Sequence, residues 1–298
     1  MKRPLRLRMR MRCIAFALLA VSSAAQGAPI APRQQSSQQF SQVSLMDSSL
    51  AAGKVRASSQ RVARLYLESA YAFRPERTRI ALEREIQNVE SGLAALRTFS
   101  PADDKAKRDL RRAIESLTQF WAELKPVVSR RYAAENTQLV YDVSEQMYIY
   151  ASKVTFLFED VANSEAGYMV DVSGRLQSMS ERISKAAIYG IATRRSSATV
   201  DFITWKKEYL DSYAEIAGSP LNDDYQRRNL TLGKTMWALF DDILTSATSR
   251  FDATRILDIS KCADGMWDIA QSSQATYVAA FKEGVGNKLI ARNNGSTS

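Results

Sequence analysis

The sequence of 298 residues contains no histidine and only two cysteines. The absence of histidine excludes Ser-His-Asp and Cys-His catalysis and every metal site that needs an imidazole ligand. Cys13 falls in an N-terminal apolar segment, so Cys262 is the one cysteine of the remaining chain, and an intramolecular disulfide is excluded there. Because Cys262 stands beside the apolar positions Ile259 and Ala263, we expect it to be a small core residue.

Glycine and proline are also scarce, at 12 and 7 residues. Breaks at Pro75, Pro101 and Pro220 divide the chain into pieces of about 20 to 30 residues, a length that suits antiparallel bundle helices. Within these pieces the apolar residues recur at steps of three and four, with almost no strand-like alternation. The clearest seams are Leu82, Ile86, Val89, Leu93 and Leu96; Leu139, Val143, Met147, Tyr150, Val154, Leu157 and Val161; and Ile256, Ile259, Ala263, Met266 and Ala270. The sequence therefore predicts an all-α helical bundle.

Residues 1–28 have the pattern of a secretory signal peptide. Met1 to Arg12 carries six basic residues and no acidic one, and a short apolar segment and a stretch of small residues follow. That apolar segment is shorter than the roughly 18 to 20 residues that span a bilayer. Removal of residues 1–28 lowers the formal charge from +9 to +3 (9 − 6), which weakens a nucleic-acid-binding interpretation. We expect a periplasmic or secreted protein that begins with a flexible Pro-, Gln- and Ser-rich leader, residues 29–44.

The rest of the chain contains two copies of one pattern. Ser100-Pro101 and Ser219-Pro220 each place Ser as an N-cap before Pro at the first helical position, 119 residues apart (219 − 100). Trp121 and Trp237, both expected to pack in the core, are 116 apart (237 − 121). Residues 52–64 align with residues 173–185, and their glycines are 121 apart (174 − 53).

These landmarks predict two tandem up-down four-helix-bundle units, residues 45–165 and 166–286, followed by a disordered tail, residues 287–298. The sequence leaves open whether the units form separate bundles or share one long helix that runs from about Leu139 through residues 173–185.

We call residues 52–64 the first box and residues 173–185 the second box. Both read Gly-basic-x-x-x-x-Ser-x-Arg, which resembles the AGRQRMLSQR signature of the type IV pili methyl-accepting chemotaxis transducer N-terminal domain. That domain occurs in PilJ-like chemoreceptors and is related to the periplasmic sensor of nitrate-responsive histidine kinases. The resemblance covers essentially the whole chain after the signal peptide. It implies a four-helix sensor bundle on the periplasmic side of a membrane, with an Arg three residues after the box glycine that binds the anion.

The two boxes match this expectation unequally. In the first box Arg56 has the anion-binding position, and Gly53, Gln60 and Arg64 share its helix face. A guanidinium offers a planar fork of donors that suits a small oxyanion. In the second box the four matching positions hold Gly174, Gln177, Glu181 and Lys185, so the key Arg is missing and a carboxylate lies nearby.

Other features of the boxes are shared. Both have a basic residue after the glycine, Lys54 and Arg175, and both have Arg eight residues after it, Arg61 and Arg182. We expect the glycines to allow close helix approach, since glycine inside a helix otherwise costs about 1 kcal/mol. The predicted ligand-binding residues are Gly53, Arg56, Gln60, Arg61, Arg64, Gly174, Arg175 and Arg182. The other interpretation is a solvated basic face that pairs with Glu or Asp on neighbouring helices, with a modest contribution to stability.

The functional expectation is a non-catalytic sensory protein that binds a small ligand such as nitrate. PilJ-like receptors continue into a transmembrane helix, a HAMP segment and a signalling coiled coil, whereas this sequence ends in the polar residues 287–298. We therefore expect signal transduction through a membrane receptor or another helical partner protein. The alternative function is a helical scaffold or interaction protein with a degenerate box.

Enzymatic function is not expected. Acidic pairs such as Asp103-Asp104 and Asp241-Asp242 are adjacent in sequence, so their side chains diverge by about 100° on a helix. No cofactor, metal or nucleic acid is predicted, while a small anion and a second copy of the chain are among the expected partners. The ligand, the signalling partner and the oligomeric state are left open.

Overall fold

A computed structural model describes residues 33–99, 104–162, 164–195 and 198–284. Within these ranges the chain is helical and has no strand, which confirms the all-α class. The α-helices are α1 (Arg33–Glu68), α2 (Pro75–Thr98), α3 (Asp104–Val128), α4 (Thr137–Ala162), α5 (Glu165–Thr193), α6 (Ala198–Gly218), α7 (Asp224–Arg250) and α8 (Ile256–Lys282). Short 3₁₀ turns follow α1 and precede α4 and α8 (Ser69–Tyr71, Ala134–Asn136, Ala253–Arg255). The predicted signal peptide and the predicted tail lie outside the described residues.

α1 begins at Arg33, ahead of Leu45, the predicted start of the structured part. Residues 33–44, predicted as flexible leader, are thus helical, while residues 29–32 lie outside the described part. The physical reason is that this segment has no proline after Pro32 and is rich in glutamine, a good helix former. It extends a helix that the apolar residues further along have already nucleated.

The helix starts agree with the prediction at one proline and differ at another. Pro75 is the first residue of α2, as the break at this position predicts. The predicted N-cap at Ser219 is wrong, because α7 begins only at Asp224, where the Asp223 side chain accepts a hydrogen bond from the Gln226 amide at 2.7 Å. The intervening residues instead close α6, since the Asn222 side chain donates to the Ile216 carbonyl at 2.7 Å. Ser100 and Pro101 lie outside the described residues.

The second box does not continue the helix that precedes it. α4 ends at Ala162, and α5 begins at Glu165 with Ser164 as its N-cap. The Ser164 hydroxyl accepts a hydrogen bond from the Gly167 amide at 3.1 Å. The second box therefore belongs to a helix that starts shortly before it.

The helices are arranged around α1 and α5, which pack against each other. α1 also packs on α2 and α4, and α5 packs on α6 and α8; α3 packs on α4, and α7 on α8. The packing of α2 and α4 on α1 is therefore repeated four helices later by the packing of α6 and α8 on α5. Trp121 and Trp237 are both buried, as predicted, and apolar side chains from all eight helices form one continuous core.

One glycine outside the boxes sets a close helix contact. A Cβ atom on Gly92 would lie 2.6 Å from Val55 Cγ2 and 3.1 Å from the Ala51 carbonyl oxygen. α2 can therefore approach α1 this closely only because position 92 has no side chain. No helix in the described part of the chain is long and apolar enough to cross a membrane.

Candidate functional site: the two boxes and their ion pairs

The two boxes lie within α1 and α5, so the packing of these two helices brings them together. Most of their side chains are buried, and those of Arg64 and Lys185 have no solvent exposure. Removing a charged group from water is costly unless an opposite charge or hydrogen bonds compensate it. The partners of these cations therefore decide what the site can do.

Arg56, the predicted anion-binding residue, is paired within the chain. Its Nη2 donates to the Asp171 carboxylate at 2.9 Å and to the Asp171 carbonyl at 3.2 Å, and its Nη1 donates to Thr155 Oγ1 at 3.1 Å. The Arg56 and Asp171 side chains are each only 3% exposed. A carboxylate is itself a planar oxyanion, so Asp171 occupies the position at which an external anion was expected.

Gln60 and Arg64, which share the face of Arg56, are also engaged. Gln60 Nε2 donates to the Ser144 carbonyl of α4 at 2.7 Å. Among the described residues, the buried atoms Arg56 Nε and Gln60 Oε1 have no hydrogen-bond partner. The first is a donor and the second an acceptor.

The first ion cluster consists of Arg61, Arg64, Glu181, Asp264 and Glu68. Arg61 donates to Glu181 at 3.1 Å and to Asp264 at 2.9 Å. Arg64 donates to Glu181 at 2.5 Å, to Asp264 at 2.7 Å and to Glu68 at 3.0 Å. The cluster therefore joins α1, α5 and α8.

Burial and charge act in opposite directions on the pKa values in this cluster. Burial raises the pKa of the Glu181 carboxyl, and the attraction of Arg64 and Arg61 only partly offsets that effect. Burial would lower the pKa of Arg64, but its three carboxylate neighbours raise it above its ordinary value. Arg64 therefore remains a cation in the folded protein.

The second ion cluster consists of Arg182, Lys185, Glu145 and Ser144, and it joins α5 to α4. Lys185 Nζ donates to Glu145 at 2.6 Å and to Ser144 Oγ at 2.7 Å, and Arg182 Nε donates to Glu145 at 2.9 Å. Burial lowers the pKa of Lys185 to about 8, more than the attraction of Glu145 raises it. Burial would raise the pKa of Glu145, but Lys185 and Arg182 bring it below its ordinary value.

In both clusters, the cations of one box pair with a carboxylate on a helix from the other half of the chain. The cations of the first box reach Asp264 on α8, and those of the second box reach Glu145 on α4. These two carboxylates are 119 residues apart (264 − 145), close to the spacing of the boxes. Neither carboxylate was predicted from the sequence, although each is an acidic residue within one of two matching apolar seams.

Aromatic rings pack against the two arginines that lie eight residues after the box glycines. The Arg61 guanidinium lies 4.4 Å from the centre of the Trp267 ring. The Arg182 guanidinium lies 4.0 Å from the Trp205 ring and 4.3 Å from the Tyr148 ring. Such cation–π contacts stabilise a desolvated guanidinium and limit its access to solvent.

The remaining predicted residues have smaller roles. Lys54 is exposed, and Arg175 is half-buried, 3.3 Å from Asp171 one turn earlier on the same helix. A Cβ atom on Gly174 would lie 3.1 Å from Gln274 Nε2 and 3.3 Å from Arg56 Nη2, which agrees with the predicted close approach. The same prediction is wrong for Gly53, because a Cβ atom there would meet nothing within 4 Å. Its surroundings leave room for a methyl group.

A cleft of about 420 Å³ opens beside the first box. Arg61 and Asp264 line its inner side, and Arg74, Arg77 and Arg84 line its outer side at and near the start of α2. Arg77 Nη2 lies 3.7 Å from Asp264. The three outer arginines were not predicted as site residues, because they lie outside both boxes.

Cys262 is buried, and burial raises the pKa of its thiol. Within the described ranges no group of three or more Cys, Asp or Glu side chains is arranged to hold a metal ion. Comparison of the chain with models of protein families, with curated proteins and with solved structures finds no match in any of the three. The resemblance of the boxes to the chemotaxis-transducer domain therefore stays a prediction.

Proposed function

We propose that this chain is a non-catalytic helical interaction protein of the PilJ-like sensory type, exported to the periplasm, in which the boxes join two four-helix-bundle units. In this proposal α1 to α4 form one unit and α5 to α8 the other, and the protein acts by binding a partner protein. The recurrence of helix neighbours around α1 and α5 supports the two units. The observation that carries the proposal is the pairing of Arg56 with Asp171.

This pairing favours the scaffold function over nitrate binding. An external anion at Arg56 has to displace a carboxylate that is fixed to the neighbouring helix at 2.9 Å and is almost fully buried. Displacement also removes the 2.9 Å ion pair of the buried Asp171 carboxylate and leaves it the longer, 3.3 Å contact with the half-buried Arg175, which is unfavourable. The ion pairs of the first box with Asp264 on α8, and of the second box with Glu145 on α4, instead suit a permanent joint between the units.

The cleft beside the first box supports a second candidate function, the binding of a small oxyanion nearer the surface. Arg74, Arg77 and Arg84 contribute guanidinium groups there, and these are more accessible than the paired cations of the boxes. Arg61 connects the cleft to the first ion cluster. An anion in this cleft has to compete with Asp264, 3.7 Å from Arg77, and with Glu85, 3.4 Å from Arg84, and Glu68 and Glu76 also line the cleft.

Calorimetric titration of residues 29–298 with nitrate, nitrite, sulfate and phosphate tests both functions. The scaffold function predicts no saturable heat with any of these anions. Heat that Arg77→Ala abolishes and Arg56→Ala preserves assigns binding to the cleft. Heat that Arg56→Ala abolishes, with an unchanged far-UV circular dichroism spectrum, contradicts the scaffold function and assigns binding to the first box.

The expected protein partner is tested separately by co-purification from periplasmic extracts of the native host. The proposal predicts a stoichiometric partner that survives washing at moderate salt. Recovery of the chain without any partner, at native expression level, would contradict the interaction function.

A further inference from the structure

The outward face of α7 carries a line of apolar residues that is exposed in the part of the chain that the structure describes. Tyr225, Leu232 and Leu239 follow one another at steps of seven residues, and they are 61%, 55% and 55% exposed. The buried residues of the same helix, Leu230, Trp237, Phe240 and Leu244, lie on its other side and pack in the core. α7 therefore has a second apolar face, beyond the one its own fold requires.

The positions between these residues complete a heptad pattern. Arg228, Thr235 and Asp242 also follow at steps of seven, and all three are exposed. Tyr225, Leu232 and Leu239 then stand at the a positions of a heptad, and Arg228, Thr235 and Asp242 stand at the d positions. This is the spacing by which two helices pack in a coiled coil. We call these six residues the α7 seam. It runs along a helix of 27 residues, which is about 40 Å long.

The two charged residues of the α7 seam, Arg228 and Asp242, are placed so that they can pair between two antiparallel copies of α7. Arg227 pairs with Asp224, and Asp241 pairs with Lys206, within the chain. In the part of the chain that the structure describes, Arg228 and Asp242 form no ion pair. Their midpoint is Thr235 ((228 + 242)/2), so two antiparallel copies of α7 that cross at Thr235 place each Arg228 opposite Asp242 of the other copy.

The same alignment also brings Leu232 of one copy near Leu239 of the other. With Thr235 opposite Thr235, Leu232 lies opposite position 238 of the second copy, which is next to its Leu239. A parallel alignment instead places Arg228 opposite Arg228 and Asp242 opposite Asp242, and like charges at seam positions are destabilising. The pattern therefore fits one orientation of one occupant, a second copy of this chain.

We propose that the chain forms an antiparallel, two-fold symmetric homodimer through the α7 seam. A two-fold interface uses the same surface on both copies, so that surface has to be complementary to itself. The charges and apolar residues of the α7 seam meet this requirement. The proposal stands independently of the role of the boxes, because the α7 seam lies on the surface and shares no residue with either ion cluster.

Sedimentation velocity of residues 29–298 over a range of concentrations tests the homodimer. We expect a species of twice the monomer mass, which Leu232→Glu converts to monomer. The matched control is Ile80→Glu on α2, since Ile80 has the same 55% exposure and lies outside the seam. It should leave the dimer unchanged. A protein that stays monomeric up to about 100 µM overturns the proposal, because a specific dimer through this seam should have a dissociation constant below that concentration.

A charge exchange tests the orientation. Arg228→Asp and Asp242→Arg alone should each weaken association at least tenfold, since each creates two like-charged contacts in the antiparallel dimer. The double variant Arg228→Asp, Asp242→Arg should restore association to within about threefold of the original, because opposite charges face each other again. A dimer that neither single variant weakens, or that the double variant fails to restore, contradicts the assignment to this seam.

Discussion

Replacing Arg64 by methionine should destabilise the protein far more than its count of ion pairs suggests. Arg64 is fully buried and donates to Glu181, Asp264 and Glu68. Methionine fills a similar volume but leaves Glu181 and Asp264 with Arg61 as their main remaining cation, and it removes the ion pair of Glu68 with Arg64. Removal of one partner from a buried ion pair costs about 3 to 5 kcal/mol, because the other charge stays buried without compensation. We expect a loss in free energy of unfolding at or above the upper part of that range.

The matched control is Arg79→Met on the surface of α2. Arg79 also pairs with two carboxylates, Glu76 and Glu83, each at 2.6 Å, but all three side chains are more than half exposed. Solvent screens such pairs, and their contribution to stability is small. Arg79→Met should therefore leave the free energy of unfolding nearly unchanged. The two variants remove the same side chain type and differ chiefly in burial.

Urea unfolding followed by far-UV circular dichroism measures both effects. A loss of about 4 kcal/mol corresponds to a melting temperature lower by about 8 to 16 °C for a domain of this size. The double variant Arg64→Met, Glu181→Met should lose less than the sum of the two single variants, since the residues are coupled. Equal, small losses for Arg64→Met and Arg79→Met would refute the reasoning that the first ion cluster stabilises the fold through burial.

Two further predictions concern the boxes. Gly53→Ala should raise the free energy of unfolding, measured in urea, by up to about 1 kcal/mol, because the site has room for a methyl group and glycine is a poor helix former. Gly174→Ala should give no such gain, since its methyl group presses on Arg56. Equal gains at both positions would contradict this difference. The stability of the wild type relative to Lys185→Met should increase by about 3 kcal/mol as pH rises from about 8 to 10.5, because the unfolded chain then binds a proton at Lys185 that the folded chain has lost. Urea unfolding at several pH values measures this increase, and a constant or falling difference would show that the pKa of Lys185 is not lowered.

The sequence predicts the helices well because their signals are local. The seam from Leu82 to Leu96 falls within α2, and the seam from Ile256 to Ala270 falls within α8. Apolar residues at steps of three and four depend only on the geometry of one helix. The sequence predicts the ends of helices less well, as at Ser219, because several side chains compete to cap the same turn and tertiary packing decides among them.

The candidate site is predicted only on its basic side. The motif identified Arg56, Arg61 and Arg64, but the carboxylates that face them come from other helices. Asp264 is 200 residues from Arg64 in sequence, and Asp171 is 115 residues from Arg56. The register between α1, α5 and α8 results from side-chain packing across the whole core, which a motif within one helix does not encode.

Hydrogen exchange of the two box segments, read by mass spectrometry with and without added anion, tests most directly whether the boxes are a permanent joint. A permanent joint predicts that residues 52–64 and 173–185 exchange among the slowest amides of the protein, and that 10 mM nitrate, a concentration about tenfold above a millimolar dissociation constant, leaves their rates unchanged. Fast exchange in both boxes, or protection that appears only when nitrate is present, would contradict it.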